Sequence, residues 1–188
     1  SGIEGLQVAG PKWPVPEALR EDILMTYGYG HAHSLLYSVT LPEDFSGSQR
    51  LQADVSWLVC KDICIPGSAS IGELVQSGSG GRAINNDVFQ AAREALPRAA
   101  SGELGTFQLA DGELRLSLPA KADAVFPAKQ YLVNHAAEIR WSEDRQRLAW
   151  PLAFEGVEPP DELSILTLNN GAAQWLQLKV GDVSAVGL

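Results

Sequence analysis

The sequence is most informative over residues 50–67, which read RLQADVSWLVCKDICIPG. Between residues 51 and 57 every second side chain is apolar, and the side chains between them are polar. This two-residue period is typical of a β-strand with one buried face. After Pro66-Gly67, residues 69–75 (ASIGELV) predict the returning strand of an antiparallel hairpin.

The two cysteines of the chain, Cys60 and Cys64, lie at the predicted tip of that hairpin. An extended chain would hold their Cα atoms roughly 13 Å apart, whereas a disulfide requires about 7 Å or less. If the cysteines bond, residues 61–63 must fold back, which places both sulfurs at the end of the sheet. So short a ring stabilises a protein by only about 2 kcal/mol. A disulfide here would add little to the stability of the fold, which favours a redox-active dithiol over a purely structural bond.

Other interpretations of the pair stay open at this point. It could be a structural disulfide in an exported protein, a pair of buried free thiols in a cytosolic one, or a ligand set for a soft metal such as Cu(I). Lys61 would lower the pKa of a neighbouring thiol and Asp62 would oppose that effect.

The composition of the 188-residue chain indicates a folded protein: 45% of its residues are hydrophobic, and its net charge is −9. Its 14 Lys and Arg residues are scattered along the chain, which argues against nucleic acid as a partner. No apolar run approaches the roughly 20 residues that a membrane span needs. The first residues lack the pattern of a secretory signal, so we expect that any export signal has been removed.

The rest of the chain predicts further strands around one short helix. Val88, Phe89, Ala92 and Leu96 recur at helical spacing after Asn86, a candidate N-cap. Strands are predicted at residues 106–109, 113–118, 138–141, 147–154, 163–168 and 173–180. We therefore expect a mainly β protein of two small β-sandwich domains joined by a linker with one short helix. The expected division is 1–78 for the cysteine domain, 79–100 for the linker and helix, and 101–188 for the second β-sandwich.

A family resemblance rests on the cysteine motif and the residues upstream of it. Residues 57–67 (WLVCKDICIPG), with Trp13-Pro14-Val15-Pro16 and Tyr27-Gly28-Tyr29-Gly30, resemble the N-terminal periplasmic domain of the DsbD/ScsB family of transmembrane thiol:disulfide reductases. The helix and the strands after it resemble the longer ScsB (suppressor of copper sensitivity) type. The family domain normally begins several strands before the W-P-x-P segment, so the first domain either is N-terminally truncated or lacks its early strands for another reason.

The resemblance implies that the β-sandwich domains are immunoglobulin-like, and it implies a function as well. It implies a periplasmic module of an inner-membrane protein that relays electrons from a membrane domain to thioredoxin-fold partners, ScsC-like or disulfide isomerase-like, without a soluble cofactor. By position, Cys64 resembles the cysteine that attacks a partner disulfide, and Cys60 the one that resolves the mixed disulfide. Tyr27 or Tyr29 matches the aromatic residue of the family's cap loop, which shields the sulfurs. Both tyrosines could instead simply pack at the sandwich edge.

Two alternative functions remain from the sequence. The chain could be a β-sandwich protein-binding module with a structural disulfide. It could also be a copper-handling domain, since His31 and His33 share one face of an extended segment close to Met25. His135 is expected to be a lone loop residue without a catalytic partner. Trp141, Trp150 and Trp175 are expected in the core.

Overall fold

The computed structural model describes residues 3–21, 24–60, 63–78, 85–100 and 104–186. Within these ranges the fold is mainly β with one helix, which confirms the predicted class. The strands in chain order are β1 (Gln7–Lys12), β2 (Glu17–Glu21), β3 (Leu24–Gly28), β4 (Leu36–Thr40), β5 (Ser48–Cys60), β6 (Cys64–Gln76), β7 (Arg98–Ala99), β8 (Thr106–Ala110), β9 (Glu113–Ser117), β10 (Ala124–Pro127), β11 (Arg140–Trp141), β12 (Arg147–Pro151), β13 (Glu162–Asn169) and β14 (Ala172–Val180). No helix of the described ranges combines the length and apolar character needed to cross a membrane.

The chain divides into two compact units and passes between them more than once. The first unit combines Ser1–Lys12 with Leu35–Gln90, and the second combines Trp13–Ser34 with Ala91–Leu188. Residues 13–34, which the sequence analysis places in the first β-domain, thus group with the second unit. The expected domain boundaries at residues 78 and 100 stay a prediction.

The first unit contains two separate antiparallel ribbons. Strands β1 and β4 pair with each other, and β5 and β6 form a two-stranded hairpin. Each hairpin strand is 13 residues long, and the register runs from Ser48 opposite Gln76 to Cys60 opposite Cys64. Both strands are longer than the sequence pattern predicts, and their pairing continues to the cysteines.

The alternation along β5 and β6 gives this hairpin one apolar face. Residues paired across an antiparallel register point to the same side. The hairpin's apolar face comprises Leu51, Ala53, Val55, Trp57, Val59, Ile65, Ala69 and Ile71. This face stays largely open to solvent, since Val59 is 61% and Ile71 is 59% exposed.

The second unit is organised around one eight-stranded sheet. Its order is β10-β13-β14-β8-β9-β12-β11, and the short β7 also pairs with β14. Neighbouring strands are antiparallel except where β7 and β8 run parallel to β14. Strands at opposite ends of this order contribute to one core, so the sheet curls around it, consistent with the predicted β-sandwich.

That core consists of the inward-facing side chains of alternating strand positions. Its fully buried large members include Phe107, Leu114, Leu116, Leu132, Leu148, Trp150, Leu163, Ile165 and Leu178. The expectation that Trp150 is a core residue is confirmed, and Trp141 packs partly buried against the same cluster. The same expectation is wrong for Trp175, which is 42% exposed because it lies on the outer face of β14.

The helix and most predicted strands of the second half are confirmed. Helix α1 (Asn86–Glu94) begins with the carbonyl of Asn85 accepting from the Phe89 N–H, one residue before the predicted cap. The sequence pattern misses five strands: β1, β2, β3, β7 and β10. The sequence of β2, EALRE, is rich in helix formers, and its pairing with β3 overrides that preference. Strand β10 carries a proline, which the sheet tolerates because β10 is an edge strand.

Candidate functional site: the disulfide at the hairpin tip

The hairpin β5–β6 brings the two cysteines face to face. Cys60 is the last residue of β5 and Cys64 the first of β6, so they form the final pair of the register. Their Cα atoms are 4.0 Å apart, and their sulfurs form a disulfide with an S–S distance of 2.10 Å. The predicted chain reversal between the cysteines is therefore present.

The surroundings of the disulfide are open and apolar. Both cysteines are exposed, and the neighbouring side chains of Leu58 and Ile63 are 65% and 72% exposed. An exchange partner must bring its sulfur into line with a sulfur of the disulfide, so an exposed tip is what this chemistry requires. The two residues predicted to tune the thiol pKa, Lys61 and Asp62, lie outside the described residues.

A tryptophan and a glycine of the cysteine motif fit together behind the tip. Trp57 lies opposite Gly67 in the register. A Cβ atom added at Gly67 would lie 2.5 Å from the Trp57 ring, which shows that the indole lies directly over this glycine. A larger side chain at position 67 would clash with the Trp57 ring, which explains the glycine of the motif. The spacing of the motif alone did not reveal this role.

The first candidate cap residue, Tyr27, is held within the second unit. Its hydroxyl is hydrogen-bonded to Nδ1 of His135 at 2.9 Å, and its ring meets Phe126 edge-on with centroids 5.5 Å apart. Burial raises the pKa of Tyr27 above its ordinary value, so the phenol is protonated at neutral pH. The predicted cap loop is in part a strand, since Tyr27 lies in β3.

The second candidate cap residue, Tyr29, lies just after β3 in a cluster of aromatic rings. Its hydroxyl donates a hydrogen bond to the carbonyl of Pro14 at 3.0 Å. Its ring stacks on Trp13 with centroids 6.0 Å apart and contacts His33 at 4.7 Å. The W-P-x-P segment and the tyrosine segment, which the sequence analysis treated as separate parts of one motif, are thus in direct contact. A shielding role for either tyrosine stays a prediction.

The residue that sequence reasoning missed is His135. It lies in a turn, as expected, but its ring contacts both Tyr27 and Trp150. Burial lowers the pKa of His135 below its ordinary value. A lone histidine in a loop carries no sequence signal for such contacts, because both partners are distant in the chain.

The copper-handling alternative rests on His31, His33 and Met25. Among residues placed by the structure, no group of three or more His, Cys, Asp or Glu side chains is arranged to hold a metal ion. His33 instead contacts the Tyr29 ring. Copper handling stays a prediction.

Comparison with protein families gives a match to the cysteine-bearing part of the chain. Residues 2–76 match the family described as "Thiol:disulfide interchange protein DsbD, N-terminal". No match to the chain was found among curated proteins or solved structures. The matched segment contains both cysteines and ends at the last residue of β6. This match supports the DsbD N-terminal family for residues 2–76, and the disulfide at the hairpin tip is the group that thiol:disulfide interchange requires.

Proposed function

We propose that this protein exchanges disulfides with a partner protein through the Cys60–Cys64 pair. The observation that carries the proposal is the exposed disulfide at the tip of β5–β6, inside a segment that matches a thiol:disulfide interchange family. A disulfide that closes so short a ring adds little stability. An exposed one is open to attack by a thiolate.

In the reduced protein, the Cys64 thiolate attacks one sulfur of a partner disulfide. A mixed disulfide forms, and the other partner sulfur leaves as a thiolate that takes up a proton. The Cys60 thiolate then attacks the Cys64 sulfur, which releases the second partner thiol and restores the Cys60–Cys64 disulfide. Two electrons and two protons pass to the partner, and a dithiol of the membrane domain would reduce the pair again.

The proposed setting is the periplasm, with this chain as part of an inner-membrane protein of the ScsB type. The proposed partners are thioredoxin-fold proteins, ScsC-like or disulfide isomerase-like. The family match and the second β-unit after α1 support this assignment. Tyr27 or Tyr29 would shield the sulfurs until a partner displaces the ring.

The test uses variants that leave one thiol at a time. The probe is a thioredoxin-fold protein with a single active-site cysteine, activated as a mixed disulfide with thionitrobenzoate. We expect Cys60→Ser, which keeps Cys64, to release the yellow thionitrobenzoate quickly and to form a covalent complex on a non-reducing gel. Cys64→Ser is the matched control, and we expect it to react at least about tenfold more slowly, since Cys60 is the resolving cysteine.

Two outcomes would contradict the proposal. If neither variant forms a complex with the probe, the exchange function is wrong. A reduction potential of the wild-type pair below about −300 mV would instead support the alternative of a protein-binding module with a structural disulfide. Equal rates for the two variants would contradict the assigned roles of Cys60 and Cys64.

A further inference from the structure

The alternation of β5 and β6 assigns the disulfide to one of the two faces of this hairpin. Cys60 and Cys64 form the last pair of the register, and Leu58 and Pro66 form the pair two positions before it. Side chains two residues apart on a strand share a face, and directly paired residues point to the same side. The disulfide and the Leu58–Pro66 pair therefore lie on the same face, whereas Val59 lies on the opposite one.

Leu58 and Pro66 are the nearest strand neighbours of the disulfide on its own face. Along each strand their Cα atoms lie about 7 Å from those of the cysteines, because two strand residues span that distance. Leu58 is 65% exposed, and Pro66 is exposed as well. The hairpin backbone separates the sulfurs from the opposite face. A partner protein that reaches the sulfurs from their own face therefore covers these two side chains.

Further from the disulfide, the same face becomes polar. Ser56 pairs with Ser68, and Asp54 pairs with Ser70, whose hydroxyl donates a hydrogen bond to the Asp54 carboxylate. Asp54 lies six residues before Cys60, which corresponds to about 20 Å along the strand. On this face of the strands, the apolar surface beside the disulfide is thus a single residue pair.

The cysteine end of the hairpin has no net charge. Residues 55–70 include one basic and one acidic residue, Lys61 and Asp62, in a chain whose net charge is −9. The nearest charged residue of β5 and β6 is Asp54. Its distance from the disulfide exceeds the screening length of about 8 Å at physiological salt. Electrostatic attraction therefore contributes little to the approach of a partner.

We propose that a partner protein docks on one face of the hairpin, the face of the disulfide, and places an apolar, uncharged surface of its own against Leu58 and Pro66. This inference rests on the proposed function and specifies the chemistry of the partner. Stable complexes bury at least about 1,200 Å² of surface, whereas weak redox encounters bury less. One exposed residue pair beside the sulfurs fits such a short-lived encounter. Leu58 is then a specificity-determining residue, which selects the partner without changing the reactivity of the thiol.

The test compares two adjacent residues on opposite faces in the 188-residue chain. In the Cys60→Ser protein, the Cys64 thiolate attacks the thioredoxin-fold probe, a mixed disulfide forms, and thionitrobenzoate leaves as an anion. The probe is chosen with uncharged apolar side chains around its cysteine. We expect Leu58→Ser in this protein to slow the release about five- to tenfold, because the encounter loses an apolar contact.

Val59→Ser in the same protein is the matched control. Val59 is 61% exposed, similar to Leu58, but it lies on the opposite face. We expect this variant to react within about twofold of the parent protein, because a surface substitution outside the contact has little effect. Leu58→Met keeps an apolar side chain of similar size, and we expect it to retain most of the parent rate.

Two further measurements separate recognition from reactivity. Hydroxyethyl disulfide is a small uncharged substrate without a surface to dock, so the parent protein, Leu58→Ser and Val59→Ser should react with it at the same rate. The rate with the probe should change less than about twofold between about 0.05 and about 0.5 M salt, because the contact is uncharged.

Several results would overturn the docking face. An unchanged rate for Leu58→Ser with the probe would do so, as would equal slowing by Val59→Ser. Equal slowing of Leu58→Ser with hydroxyethyl disulfide would show an effect on the thiol itself, and a strong fall of the probe rate with salt would contradict the uncharged contact. A wild-type dimer in sedimentation that Leu58→Ser dissociates would show that a second copy occupies this face instead. The absence of any complex between the Cys60→Ser protein and the probe would remove the proposed function, so the two failures are distinguishable.

Discussion

The β5–β6 hairpin and the curled sheet of the second unit use the same sequence pattern with opposite results. Both alternate apolar and polar residues along their strands. In the second unit the apolar positions meet in one core, and Phe107, Leu114 and Leu148 are fully buried. In the hairpin the apolar face remains exposed over much of its length, with Trp57 at 45% and Ile65 at 59%. Alternation therefore predicts which residues share a face, but other strands must pack against that face before it is buried.

The two regions also differ in what they contribute: the second unit contains the packed core, and the hairpin carries the disulfide. The second unit has eight strands around a contiguous core. The hairpin ends in a disulfide that a partner can reach. A two-stranded ribbon has little stability of its own in water, so changes at the tip should affect exchange more than folding.

The largest expected effect is in the core of the second unit. Trp150→Ala removes a fully buried indole and its hydrogen bond to Asn134. We expect the free energy of unfolding to fall by about 3–5 kcal/mol, measured by chemical denaturation followed by circular dichroism. Trp175→Ala, on the outer face of the same sheet, is the matched control and should cost about 1 kcal/mol or less. Equal losses for the two variants would contradict the assignment of inner and outer faces.

Reduction of the disulfide should have a smaller and more local effect. The short ring formed by Cys60 and Cys64 constrains few residues, so its loss should destabilise the hairpin by about 2 kcal/mol. Hydrogen exchange before and after reduction should show faster exchange over residues 48–76 and no change over 104–180. Loss of protection throughout the second sheet would show that the disulfide supports more than its own hairpin.

Two ion pairs of the second unit sharpen the contrast between buried and exposed groups. Arg140 donates two hydrogen bonds to Glu113, at 2.6 and 2.7 Å, and the Glu113 side chain is only 17% exposed. Arg115 pairs with Asp111, whose side chain is 80% exposed. We expect Glu113→Gln to lower the free energy of unfolding by about 1–2 kcal/mol. Asp111→Asn should lower it by less than about 0.5 kcal/mol, and both values are measured from denaturation curves. A larger decrease in stability for Asp111→Asn than for Glu113→Gln would contradict this ranking.

The smallest expected effect is a pH dependence from His135. Its pKa in the folded protein is lowered from 6.5 by burial, so below about pH 6.5 the unfolded chain binds a proton that the folded protein does not. The free energy of unfolding therefore falls as the pH drops below about 6.5. Above this pH His135 is neutral in both states and does not lower the stability. The facing groups are Tyr27, which stays protonated because its pKa is raised, and the uncharged Trp150.

The pH effect is measured as the change in melting temperature between about pH 7.5 and about pH 5.5. We expect the decrease on acidification to be smaller in His135→Phe than in wild type, because the variant lacks the titrating group. The same decrease in both proteins would show that other groups produce it.

Local pattern alone predicted the parts of the site that are close in the chain. The alternation of residues 51–57, the turn and the four-residue spacing of Cys60 and Cys64 were enough to predict a hairpin with the cysteines at its tip. Most strands of the second half are predicted for the same reason, since each of these has its own two-residue period. The predicted helix was displaced from its observed start by one residue only.

What local pattern could not predict is where distant segments pack. The β2–β3 hairpin joins the second unit through Tyr27 and His135, which are 108 residues apart, and no local signal marks either residue for the other. The outward position of Trp175 depends in the same way on which face of β14 the remaining strands cover. The sequence by itself determined the β class and the hairpin with both cysteines at its tip, because these follow from residue spacing along one or two strands. Only the tertiary structure decided which faces are buried and what holds Tyr27, because those depend on contacts between segments far apart in the chain.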